Sequence, residues 1–174
     1  MSAYLKRNNS YEEILYNKIL LLSRNKLFYT KLRLNDTFQN RINLIFFHIS
    51  FLFIKSKPKD KNPFYKEFYQ KMFDFIFKKI ELNMREIGYG DMAINKNMKL
   101  LVKIFYKILL FCENYKNENT ESKNLFLFKY LLQNTNKKGA DISNLVEYFN
   151  KYQAFCFDLS PDSVLRGDLN FNNE

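Results

Sequence analysis

Between Phe64 and Ile87 the apolar residues stand one, three or four positions apart: Phe64, Tyr65, Phe68, Tyr69, Met72, Phe73, Ile76, Phe77, Ile80, Met84 and Ile87. This spacing paints one broad face of a 3.6-residue period and predicts a long amphipathic helix. Pro63 sits near its first position, where a missing amide donor costs nothing. Gly88 suits the left-handed cap that ends such a helix. So aromatic a helix has to be covered, and Phe75 and Leu82 widen its apolar surface beyond one face. The expectation is an all-α fold, a single compact helical domain spanning residues 1–174 with about six to eight helices. Either the Phe64 to Ile87 helix lies near its centre or the protein exposes an apolar groove.

Periodicity and punctuation divide the rest of the chain. Ser10 caps a helix from about Tyr11 to Arg24, with Glu13 in the capping-box position and Ile14, Leu15, Ile19 and Leu22 on its apolar face. A short turn or helix follows around Lys26 to Leu32. Asp36 is the expected N-cap of a helix through Phe53, and the basic, proline-punctuated run from Lys55 to Pro63 reads as an exposed loop. Beyond the corner at Gly88, a helix is expected from Asn95 or Asn97 to Tyr115, then a polar linker from Lys116 to Lys123 and a helix near Leu125 to Gln133. Gly139 reads as a break, and a helix runs from Asp141 or Ser143 to about Phe155. The tail from Asp158 is expected to be irregular, apart from a helical turn at Pro161. Period-two alternation is absent, which removes the main strand signal.

Composition narrows the class further. With 47% hydrophobic residues and 18% aromatic ones but only four Gly and three Pro among 174 residues, the chain has material for a core of rings and little for a loop-rich sandwich. Residues 1–62 carry twelve Lys or Arg against four Asp or Glu, residues 63–112 nine against five, and residues 113–174 seven against nine, so the formal charge of +10 resides in the first two thirds. Such a field attracts phosphate surfaces, whether an anionic leaflet or RNA. A genome rich in A/T codons would raise lysine in the same way.

The longest uncharged apolar run, Ile42 to Ile54, is thirteen residues and includes Asn43, His48 and Ser50. A span needs about 20 apolar residues, so this run reads as a buried helix. The first ten residues have no apolar targeting core, and a bacterial cytoplasmic location, peripheral to the inner membrane, is the simplest expectation. Cys112 and Cys156 have no paired spacing and read as buried thiols in a reducing compartment.

No constellation points to catalysis, a cofactor or a metal. His48 is the single histidine, which excludes multi-histidine metal sites, and its apolar surroundings favour a satisfied core residue. Gly88-Tyr89-Gly90-Asp91 follows a helix rather than a strand and lacks a third glycine and a Walker-type lysine, so it reads as a tight interhelical corner. There glycines supply positive φ and Asp91 bonds freed amides. Lys96, Lys99, Lys103 and Lys107 recur at three, four and four residues and form one stripe opposite Leu101, Ile104, Ile108 and Cys112. That stripe is either a solvated face or a contact for anionic lipid or an acidic partner.

The string Arg85-Glu86-Ile87-Gly88-Tyr89-Gly90-Asp91, followed by Lys96 at the opening of a helix that runs into Phe105-Tyr106, resembles the ubiquinol-cytochrome c chaperone family. Further landmarks fit in the same order. Leu15-Tyr16-Asn17 and Phe28-Tyr29 lie upstream, Asp36-Thr37 to Arg41 leads into the apolar helix with His48, and Leu145-Val146-Glu147-Tyr148 precedes Gly167-Asp168-Leu169. The resemblance implies a non-enzymatic assembly factor that binds newly made cytochrome b and promotes assembly of respiratory complex III. A second assembly factor, the ribosome and the anionic inner-membrane surface are its implied further partners. The candidate partner-binding residues are Arg85, Gly88, Tyr89, Gly90 and Asp91 at the corner, with Lys96, Lys99, Lys103 and Lys107. Two other classes remain: a basic RNA- or ribosome-binding module, for which no nucleic-acid motif is present, and a small-lipid or isoprenoid enzyme, which lacks an Asp-rich metal motif and would require a cavity with convergent carboxylates.

Overall fold

Charge decides which helix is central. Between Arg41 and Lys55 the only ionisable side chain is His48, so this helix can be buried on every side. The segment from Pro63 to Ile87 carries nine charged residues and must keep a face in water. The computed structural model describes residues 10–55, 63–132 and 142–172. It contains α1 (Tyr11–Ser23), α2 (Leu27–Thr30), α3 (Phe38–Lys55), α4 (Pro63–Ile87), α5 (Asp91–Asn114), α6 (Thr120–Leu127), α7 (Ile142–Asp158) and α8 (Pro161–Arg166), and no strand among the described residues. The centre is α3, with every residue from Ile42 to Leu52 buried, and not the Phe64 to Ile87 helix as periodicity suggested. That longer helix, α4, buries the single face Phe68, Met72, Ile76, Phe77, Ile80 and Met84 against the core.

α3 packs against α1, α5 and α7, while α4 lies across α1 and α5. Aromatic rings make most of these joints. Phe46 contacts Phe77 of α4 and Phe105 of α5 with ring centroids 5.6 and 5.3 Å apart, and Phe47 contacts Phe149 of α7 at 5.0 Å. Phe75, which seemed to overload α4, is covered edge-on by Tyr16 of α1 at 5.5 Å. Eighteen per cent aromatic content is thus spent on helix contacts, each such pair adding about 0.5–1.5 kcal/mol beyond its area.

Local signals explain most boundaries. The Ser10 hydroxyl accepts from the Glu13 amide at 3.2 Å and starts α1, and the Ser160 hydroxyl accepts from Ser163 to start α8. At α3 the cap is Thr37, whose hydroxyl accepts from the Asn40 amide at 3.1 Å. Asp36, the expected cap, instead forms a bidentate pair with Arg41 at 2.6 and 2.7 Å, because a charged fork next to it outcompetes a backbone amide. α5 begins four residues before Asn95, and α6 starts within the supposed polar linker, where the Asn119 side chain accepts from Ser122 at 2.8 Å. Past α6 the chain widens into a π-turn over Phe128–Leu132. Buried Asn43 donates to the Tyr130 carbonyl at 2.6 Å and so satisfies an acceptor on that turn. The tail is more ordered than expected: Leu169 is buried, and Phe171 packs on Tyr148 and Tyr152. Most of the loop expected over 55–63, and the break at Gly139, lie outside the described residues.

Candidate functional site

The corner between α4 and α5 is three residues long. Gly88 has φ +99°, its amide bonds Arg85 O at 3.0 Å, and the Tyr89 amide bonds Met84 O at 3.0 Å, which is a Schellman closure of α4. Only Gly88 supplies positive φ there. Gly90, expected to do the same, is extended at φ −74° and ψ 159° and serves as N-cap of α5, its carbonyl receiving the Ile94 amide at 3.0 Å. Asp91 does not bond freed amides either. It accepts from Arg85 at 2.6 Å while the same guanidinium bonds Glu81 at 2.8 Å, so Arg85 staples the end of α4 to the first turn of α5. Arg85 and Asp91 are exposed and Glu81 is partly so, and such pairs are worth less than about 1 kcal/mol each. Arg85 and Asp91 thereby acquire a geometric role: they hold the angle of the corner.

Tyr89 connects this corner to a cleft. Its ring lies 6.4 Å from that of Phe38, and Phe38 lines an opening of about 220 Å³ between α1, α3 and α4. The apolar walls are Tyr16, Leu20, Ile42, Ile45, Ile80 and Ile87, and Arg24, Arg41, Asn83 and Glu86 supply the polar lining. Arg41 is engaged by Asp36. Ile87 and, on the same α1, Leu21 are 60% and 70% exposed, so apolar surface continues out of the cleft. This is the groove that a peripheral α4 leaves open. No motif marks it, because Leu20, Ile42 and Ile45 have the spacing of core residues, and only their shared surroundings in space distinguish them.

The clefts elsewhere are polar or shallow. One lies over α6 at Leu125, Phe126 and Lys129, another between α2 and α7, and a third beside the π-turn at Gln39, Asn40 and Lys129. None of these four brings two carboxylates together, which the small-lipid enzyme reading requires. Among the described residues no three His, Cys, Asp or Glu side chains are grouped to hold a metal.

His48 is fully buried and satisfied. Its Nδ1 lies 2.6 Å from Leu44 O, an acceptor only, so Nδ1–H donates there and Nε2 accepts from Tyr148 Oη at 2.7 Å. Burial lowers its pKa to about 4, against a smaller upward influence of the Leu44 bond. The ring is therefore neutral near neutral pH and acts as a core strut. Cys112 and Cys156 are free, buried thiols, and burial pushes Cys156 up to about 12. Neither has the lowered pKa of a reactive cysteine.

The lysine stripe is on the outside of α5. Lys96, Lys99, Lys103 and Lys107 are all exposed, while Leu101, Phe105, Ile108 and Cys112 face the core. The structure thus places the predicted partner-binding residues in two adjoining groups, a corner that frames a cleft and a cationic helix face. Among the described residues no helix is long and apolar enough to cross a membrane.

The model of the ubiquinol-cytochrome C chaperone family matches residues 30–171. Among solved structures, the crystal structure of the Cbp3 homolog from Brucella abortus matches with a TM-score of 0.78 over 94% of this chain and 89% of that chain. At 21% sequence identity this is a likeness of fold. No curated protein matches significantly.

Proposed function

Because the chain belongs to the ubiquinol-cytochrome c chaperone family, we propose that it holds newly made cytochrome b, without catalysis of its own, until ubiquinol-cytochrome c reductase is assembled. The observation that carries this reading is the family match across residues 30–171, which includes the corner and the α3 and α4 walls of the cleft. The physical argument is one of surface. A membrane-protein client exposes apolar helix faces before its partners arrive, and a chaperone needs an accessible apolar recess to cover part of one. The cleft between α1, α3 and α4, with Ile87 and Tyr89 at its rim, supplies that recess. In a bacterium this work is done peripherally at the anionic inner membrane, with a second assembly factor and the translating ribosome as further partners.

Deleting the gene should lower cytochrome b and assembled complex III while the other respiratory complexes persist. Normal complex III in the deletion strain removes the assignment. A variant with Leu20→Asp in the cleft wall should fail to restore complex III although it is made and folded, as judged by its circular dichroism.

A further inference from the structure

We propose that the outer face of α5 is a lipid-docking surface that rests flat on an anionic bilayer through alternating lysines and apolar side chains. This inference rests on the chaperone reading for its biological meaning, and it names the contact that would keep the chaperone at the membrane.

On a 3.6-residue helix, Met92, Lys96, Lys99, Leu100, Lys103, Tyr106, Lys107 and Leu110 fall within about a third of the circumference. The lysines are exposed, and the four apolar residues between them are too: Met92 by 89%, Leu110 by 61%, Tyr106 by 56% and Leu100 by 53%. A face that merely kept the helix in water would have no reason to display four large apolar groups at such exposure. No acidic residue interrupts it. Asp91 stands before it and is held by Arg85, and Glu113 comes after its end. The contrast is with α6, where exposed Leu125 shares its shallow cleft with one lysine, Lys129, and with an acidic residue, Glu121.

Shape selects the occupant. α5 is unbroken from Asp91 to Asn114, so Met92 to Leu110 form a row about 27 Å long at 1.5 Å per residue. None of the four clefts described above is lined by any residue of this row. A peptide helix docks in a concave groove, whereas a straight convex row of cations and apolar groups fits a plane of anionic headgroups over acyl chains. The lysines meet phosphate, and Leu100, Leu110, Tyr106 and Met92 reach between the headgroups. The row begins at the corner, with Ile87 of the cleft rim only five residues before Met92. Docking α5 therefore brings that end of the cleft close to the lipid from which an apolar client would emerge.

The test is flotation of the full chain with vesicles of mixed phosphatidylcholine and phosphatidylglycerol, compared with pure phosphatidylcholine. The wild-type chain should bind the anionic vesicles strongly and the neutral ones weakly. Lys99→Gln, Lys103→Gln and Lys107→Gln together should weaken anionic binding on the order of a hundred-fold, since each lysine near such a surface contributes about five-fold. Leu100→Ser with Leu110→Ser should cost roughly ten-fold and leave a residual binding that salt abolishes, whereas wild-type binding survives salt in part. A control set, Lys18→Gln, Lys26→Gln and Lys31→Gln, removes the same charge from exposed positions off this face and should bind like wild type.

Equal losses in the two lysine sets would show that net charge, not this face, binds lipid, and would overturn the proposal. So would α5 variants that bind like wild type, or competition by RNA that displaces the protein from vesicles at matched phosphate. The vesicles contain no client, so this outcome is independent of the deletion phenotype. All variants are surface changes, and urea midpoints verify that they fold alike.

Discussion

At the scale of single residues, His48 illustrates what a lone polar group in an apolar run can mean. Its position among Ile42 to Ile54 was enough to expect a satisfied core residue, and the neutral ring with two hydrogen bonds agrees. Its partner was not legible, because Tyr148 lies a hundred positions away and nothing in local spacing links them. Burial holds the folded pKa near 4, whereas an unfolded histidine titrates near 6.5. The unfolded state therefore takes up the proton first, and stability present above pH 6.5 is lost as pH falls towards 4, by about 3 kcal/mol in all. Urea denaturation between pH 7 and 4.5 should show this slope, and His48→Gln should flatten it. With one histidine in the chain, its ring proton resonances are unambiguous, and a titration midpoint near 6.5 in the folded protein would refute the argument.

Helices were legible where charge and periodicity agreed, and their ends were less so. α4 was readable from Pro63 to Gly88 because an apolar face, an N-terminal proline and a glycine cap coincide. The start of α5 was missed because Gly90 and Asp91 look like loop residues, yet an extended glycine is an acceptable N-cap and an aspartate favours the first turn. The helix expected near Leu125 was placed too late, because the first turn of α6 is polar and its cap, Asn119, lies inside a run that looks like a linker. The two corner glycines should therefore respond in opposite ways. Gly88→Ala places a side chain at φ +99° in open space and should cost about 1 kcal/mol through the backbone alone. Gly90→Ser should be neutral or stabilising, since serine is the better cap at φ −74°. Urea midpoints decide between them, and equal losses would mean that the corner is limited by packing.

For the whole molecule, the all-α class followed from composition and period, but which helix takes the centre did not follow from the most conspicuous one. Aromatic periodicity drew attention to α4, while the absence of charge put α3 inside. The cleft is a product of that arrangement and had no signature of its own. Elements far apart in sequence meet as well: Gly167, at φ +68°, lies so close to α1 that a Cβ there would sit 2.8 Å from Ile14 Cγ2. Gly167→Ala should consequently cost more than Gly88→Ala, on the order of 2 kcal/mol, because strain and collision add. Ile14→Ala in the same chain should recover the collision part, and strictly additive losses in that double-mutant cycle would refute the contact. The same closeness sets an order of events during synthesis. α1 leaves the ribosome long before α8, so the surface it offers to α8 and Gly167 stays uncovered until that later segment has been made. The nascent chain thus waits, with that face of α1 unsheltered, until α8 arrives to close over it.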